Sequence, residues 1–172
     1  MRIREIKLIL APTDFSPASD RALDVAIDIA RLVGAALEVL HVNLEAMWVL
    51  PPPGDVIASP VDMTEVLANS SMQLDAAVNR VRAAGIQCTG VSETGRTDAE
   101  IVDYARKRGA GLIVVGSHGR HGIGHVLIGS VAEKVVRHAP CPILVVPSSE
   151  HEMPRVSSDD DAPEVSATQQ PA

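Results

Sequence analysis

"LIVVGSHGRHGIGHVLIGSVAEKVVRH", residues 112–138, holds the pattern that decides the fold. The apolar run Leu112–Val115 stops at a segment with five glycines in the fourteen positions from Gly116 to Gly129. A helix-period run then starts near Ser130 and ends near His138, ahead of Ala139-Pro140-Cys141-Pro142. Such a stretch is a strand, a bare loop and a helix in succession. Glycine costs backbone entropy and offers no side chain to pack, so the loop must need its backbone. Main-chain N–H groups at a helix start bind anions, which makes phosphate the first candidate ligand. The three histidines His118, His121 and His125 make a metal ion the second.

The same alternation extends in both directions. β-Compatible apolar runs stand at Ile6–Ala11, Ala36–Val42, Ile86–Val91, Leu112–Val115 and Pro142–Val146. Helix-period segments separate them. Pro17–Val33 carries Ala22, Leu23, Ala26, Ile27, Ala30 and Val33 on one stripe, with Ser16 placed to cap its start and Gly34 its end. Pro60–Ala84 carries Met63, Val66, Leu67, Leu74, Ala77, Val78 and Val81 before Gly85. Thr97 and Glu100 have the spacing of a capping box for a third helix ending near Gly109. Strands that alternate with helices need crossover connections, so the sheet is parallel with helices on both faces.

The length of 172 residues fits one domain, residues 1–147, followed by a tail, 148–172. The tail is polar and lacks an apolar face, which predicts disorder. Its six acids against one base give it most of the formal net charge of −7. The segment Asn43–Ser59, with "PPPG" at Pro51–Gly54, reads as a long loop. Phe15, Trp48 and Tyr104 are the only aromatic residues, and an acidic chain without aromatic platforms is a poor nucleic-acid binder. Cys88 and Cys141 are two separate thiols without C-x-x-C spacing. No export signal or membrane-length apolar run is visible, so the expected setting is the cytoplasm, with no membrane partner.

Known phosphate motifs narrow the reading. The chain has no Gly-Lys pair for a P-loop, and Leu127 stands where a dinucleotide fingerprint starting at Gly122 needs its third glycine. Gly116-Ser117-His118-Gly119 has the wrong spacing for a nucleophile elbow. The remaining pattern is Gly116-x2-Gly119-x9-Gly129-Ser130. In open parallel sheets ligands bind at the carboxyl ends of strands, where the strand order reverses. "APTDFS" (Ala11–Ser16) follows the first strand and the glycine segment follows the fourth. The order 3-2-1-4-5 would bring the two face to face.

On "APTDFS", "LHV" (Leu40–Val42) and the complete G-x2-G-x9-G-[ST] motif, the chain resembles the universal stress protein family and, within it, the ATP-binding branch. The likeness covers about Ile3 to Pro147. It implies a single open five-stranded parallel α/β sheet of order 3-2-1-4-5, a homodimer, and ATP held with Mg²⁺ or Mn²⁺. Position by position, it puts Asp14 near the nucleoside with Pro12 and Thr13 beside it, and the backbone of Val42 against adenine. It puts Gly116 and Gly119 next to ribose and phosphates, and Gly129, Ser130 and Val131 around phosphate at the helix start. Apart from the likeness, Arg120 is expected to lend charge near the phosphates.

The histidine spacing H-x-x-H-x-x-x-H would suit zinc on a helix, but three glycines among the histidines make a poor rigid scaffold. Solvent-facing histidines close to phosphate are the expected arrangement, with any divalent ion held by the phosphates. Asp14 also fits a plain turn or capping carboxylate, and Ser130 a helix cap. His41, in an apolar strand, reads as a satisfied core histidine, and Cys141 as a packed thiol. The expected function is a regulatory module that binds ATP and acts through nucleotide-dependent conformation or association, with unknown protein partners. Two alternatives stand beside it. One is a slow ATPase, for which only a histidine is available as base. The other is a structural dimer that binds no nucleotide. The strand Pro142–Val146 is the expected dimer edge.

Overall fold

A computed structural model of the chain describes residues 5–43, 63–117 and 128–147. Strands and helices alternate along it as β1 (Leu8–Thr13), α1 (Pro17–Val33), β2 (Ala36–Asn43), α2 (Met63–Ala83), β3 (Cys88–Thr94), α3 (Thr97–Arg108), β4 (Leu112–Gly116), α4 (Ser130–His138) and β5 (Ile143–Val146). The strands form one sheet in the order β3-β2-β1-β4-β5, and every pairing is parallel. The α/β class and strand order expected from the sequence are therefore the ones observed.

Strand residues alternate between two aliphatic cores, one on each face of the sheet. Ile9, Leu37, Val39 and Val114 pack under α1 and α2 with Ala22, Ala26, Leu74 and Val81. Leu10, Leu40, Val42 and Ile113 pack under α3 and α4 with Ile101, Ala105 and Val135. Helix α1 follows its sequence signals closely. Ser16 caps it by accepting from the Ser19 amide, a proline stands in its first turn, and Gly34 ends it in the left-handed conformation at φ 71°.

Three expectations are corrected. The N-cap of α3 is Arg96, without a side-chain cap bond, so the Thr97–Glu100 capping box does not form. Thr97 instead lies one position inside the helix. The N-cap of α4 is Gly129 rather than Ser130. The apolar stripe of α2 is only partly used: Leu74, Val78 and Val81 are buried, while Val66 and Leu67 are 42% and 46% exposed. The cause is length. A 21-residue helix runs about 31 Å, whereas the seven-residue β3 beneath it runs about 23 Å. Its first turns therefore extend past the sheet. Strand boundaries shift by about two residues, β1 ending at Thr13 and β3 at Thr94.

A buried charge sits on the α3 face. Glu38, on β2, is 6% exposed, and Arg108 of α3 grips it with two guanidinium nitrogens at 2.6 and 3.1 Å. On the opposite face Arg80 of α2 ties down α1 through Asp20 and Asp24.

Candidate functional site

The strand order places the ends of β1 and β4 side by side, and their ladder stops early. β1 pairs with β4 only at Ile9–Leu112 and Leu10–Ile113, yet it stays paired with β2 up to Thr13–His41. Pro12 stands two residues past the last β1–β4 pair and has no N–H to offer a neighbour. The two strands therefore stop pairing before their carboxyl ends, at the point where the chain order reverses and where open parallel sheets hold their ligand crevice.

The β1 lip of the crevice is a tight hydrogen-bonded turn. Asp14 accepts from the Ser16 amide at 3.1 Å and from the Ser16 hydroxyl at 2.6 Å. The Thr13 hydroxyl accepts from the Phe15 amide at 3.0 Å and meets the Ser19 hydroxyl at 3.1 Å. Phe15 is the one described non-glycine residue at positive φ, 61°. That conformation is an outlier for a bulky side chain. The turn-carboxylate role expected of Asp14 is thus present, and Asp14 is half-buried at this end of the sheet.

The β4 lip is built around Ser117, which is buried. Its amide donates to the Val146 carbonyl at 2.7 Å, and its carbonyl accepts from the Gly129 amide at 2.6 Å. Gly116 just before it is buried for a packing reason. A Cβ there would come within 2.9 Å of the Ala18 carbonyl group and 3.1 Å of the Ser19 nitrogen in the first turn of α1. Helix α4 starts at this lip without a side-chain cap, and the first-turn amides of a helix have no intrahelical acceptor. Gly129 spends its N–H on Ser117, so the amides of Ser130, Val131 and Ala132 are left without an intrahelical acceptor at the positive end of the helix dipole.

Val42 lies one residue beyond the last β1–β2 pair, with its side chain in the core under α3. The structure thus brings Pro12, Thr13, Asp14, Val42, Gly116, Gly129, Ser130 and Val131 to one end of the sheet. Gly119, Arg120, His118, His121 and His125 lie outside the described residues, as do the tail 148–172 and most of the loop after Asn43. Among the described residues no three His, Cys, Asp or Glu side chains converge to hold a metal ion. Burial pushes the thiols of both cysteines up, Cys88 to about 11, which suits packed rather than reactive groups.

The universal stress protein family model matches residues 5–147 of this chain. The chain belongs to the universal stress protein family. Its relatives in the family include universal stress protein YxiE of Bacillus subtilis (strain 168), 31% identical over 143 residues, covering 80% of this chain and 97% of YxiE. Among solved structures, universal stress protein UspA from Lactobacillus plantarum superposes with a TM-score of 0.69 at 26% identity, covering 82% of this chain and 97% of that one. A universal stress protein solved in complex with cAMP superposes with a TM-score of 0.63 at 26% identity, covering 84% of this chain and 98% of that one.

Two features of the site escaped the sequence reading. His41 is a buried, satisfied histidine as expected, but its partner is the site itself: Nδ1 lies 2.9 Å from the Thr13 carbonyl. The left-handed Phe15 was equally hidden, since no glycine or asparagine marks it. Among the described residues no helix is long and apolar enough to cross a membrane.

Proposed function

We propose that this chain binds an adenine nucleotide, ATP with Mg²⁺ or Mn²⁺, in the β1–β4 crevice, and that occupancy regulates its association with other proteins. One observation carries the reading: the Asp14 turn, an acceptor for hydroxyl or amino groups, stands across an opened strand pair from the uncapped start of α4. A carboxylate at one end and free amides at the other match the hydroxyl- and amine-bearing nucleoside and the anionic phosphates. The cAMP complex of a 26% identical relative supports a nucleotide in this class of fold. Asp14, Pro12, Thr13 and the Val42 backbone hold the nucleoside end in this reading. Gly116, Gly119, Ser130 and Val131 take the phosphates, Gly129 holds the loop to β4, and Arg120 adds charge. The divalent ion sits on phosphate oxygens.

The test is Gly119→Val. Saturating ATP·Mg²⁺ should raise the wild-type melting temperature by roughly 5–10 °C at a hundredfold excess over Kd. The variant should lose that shift while its ligand-free melting point falls by less than the lost shift. A full shift in the variant would remove the loop from the phosphate site. Collapse of the ligand-free fold would make Gly119 a turn residue only. Multiple phosphates released per site, above contaminant controls, would replace the regulatory reading with a slow ATPase.

A further inference from the structure

We propose that His41 is a positioning residue for the nucleotide site: it holds the Thr13–Ser16 turn in the conformation that presents Asp14. The inference rests on the nucleotide reading above. Two contacts from one ring carry it. Nδ1 of His41 lies 2.9 Å from the Thr13 carbonyl oxygen. The same ring stands 4.4 Å, centroid to centroid, from the ring of Phe15 at an interplanar angle of 33°.

A carbonyl can only accept, so Nδ1 must carry the hydrogen and donate. His41 is also the register partner of Thr13 at the last β1–β2 pair. Its side chain therefore reaches across to the very residue from which the chain leaves the sheet. Thr13 is the hub of the turn, since its hydroxyl accepts from the Phe15 amide and meets Ser19. Fixing the Thr13 peptide fixes the direction in which Phe15 and Asp14 depart.

Phe15 shows why a restraint is needed. At φ 61° a bulky L-residue is strained, and such strain persists only when the surroundings over-determine it. The tilted His41 ring against Phe15 supplies one restraint and the Asp14–Ser16 bonds another. If Phe15 relaxed to negative φ, the Asp14 carboxylate and the start of α1 would change direction together. His41 itself is 8% exposed, so it acts through the turn rather than as a surface group.

Two variants separate the two contacts. His41→Phe keeps a ring against Phe15 and removes the donor. His41→Asn places an amide N–H near the position of Nδ1 and removes the ring. Calorimetric titration with ATP·Mg²⁺ and with AMP, alongside amide exchange at Phe15 and Ser16 followed by NMR in the ligand-free proteins, reads both effects. His41→Phe should weaken both nucleotides by about tenfold, because the defect lies at the nucleoside end. Exchange at Phe15 and Ser16 should quicken while the core amides of β1 stay protected. His41→Asn should recover most of the affinity. Wild-type affinity in His41→Phe, or an equal loss in both variants, overturns the inference and leaves the nucleotide reading standing. A loss for ATP but not AMP also overturns it, since it would place the effect at the phosphates. Absence of binding by the wild type overturns the nucleotide reading, and the positioning role with it. Should His41→Phe fail to fold, unchanged Phe15 and Ser16 exchange in a folded His41→Ala protein would overturn the inference.

Discussion

The Gly129 amide and the Ser117 carbonyl meet across 2.6 Å, so the chain leaves β4 and enters α4 at a single closed neck. Gly129 has φ −71° and ψ 156°, angles that proline also adopts. Gly129→Pro therefore removes little besides this hydrogen bond. Losing this hydrogen bond at the buried Ser117 costs about 0.5–1.5 kcal/mol, and the stiffer unfolded chain offsets part of it. Calorimetry should show a melting point lower by a few degrees. Gly129→Ser keeps the amide and adds a helix cap, so it should be at least as stable as wild type. An equal fall in both variants would mean the neck bond is not the cause.

Gly116 faces the first turn of α1, where a methyl group would press on backbone atoms of Ala18 and Ser19 at 2.9–3.1 Å. Backbone cannot rotate away, so α1 must shift. Gly116→Ala should lower stability by about 1–3 kcal/mol, or roughly 2–4 °C of melting temperature per kcal/mol. Unlike Gly119→Val, it should show this loss without any ligand. An unchanged ligand-free melting point would contradict the tight β4–α1 approach.

Tyr104 is the single tyrosine of the chain. Burial pushes its phenol up to about 12, and the neighbouring Glu38 carboxylate pushes the same way. A raised native value means the folded protein keeps a proton that the unfolded chain releases. The resulting stability is fully present below about pH 10 and is lost as pH rises through about 12. Near-ultraviolet difference absorbance should find the phenolate midpoint near the upper figure in the native protein and near the lower one in denaturant. Glu38→Gln should bring the native midpoint down. Identical native and denatured midpoints would refute the buried contact.

β5 pairs only with β4 among the described residues, and Leu144 on it is 37% exposed. An apolar edge of this kind invites pairing with another chain. Light scattering should report a dimer for the wild type, and Leu144→Lys should lower the mass toward that of a monomer. A monomeric wild type would rule out this edge as the dimer contact.

The fold was legible because each crossover leaves a local mark. Ser16, Pro17 and Gly34 bracket α1, and near-continuous apolar runs such as that of β4 show strands covered on both faces. The β1 and β4 ends were legible as polar and glycine-rich stretches in an otherwise aliphatic chain. What stayed hidden depends on distance in space. Nothing local says that α2 outruns its sheet and leaves Val66 and Leu67 in water. Nothing near His41 in sequence names Thr13 or Phe15, and the ring that meets the left-handed Phe15 stands 26 residues away. Gly116 looked like a glycine kept for a ligand, yet its tight neighbour is a helix far upstream in the chain.

The two borders of the sheet are unlike in character. β3, at one border, turns the hydroxyl-bearing Thr89, Ser92 and Thr94 to solvent, while β5, at the other, consists of Ile143, Leu144, Val145 and Val146. Among the described residues only one border is therefore apolar. If two copies join through it, each covers the other's apolar side and offers a polar border outward, so growth terminates at a pair. A chain with two such apolar borders would instead propagate into a ribbon. The asymmetry lets the chain carry a half-exposed apolar strand without becoming the seed of a fibre.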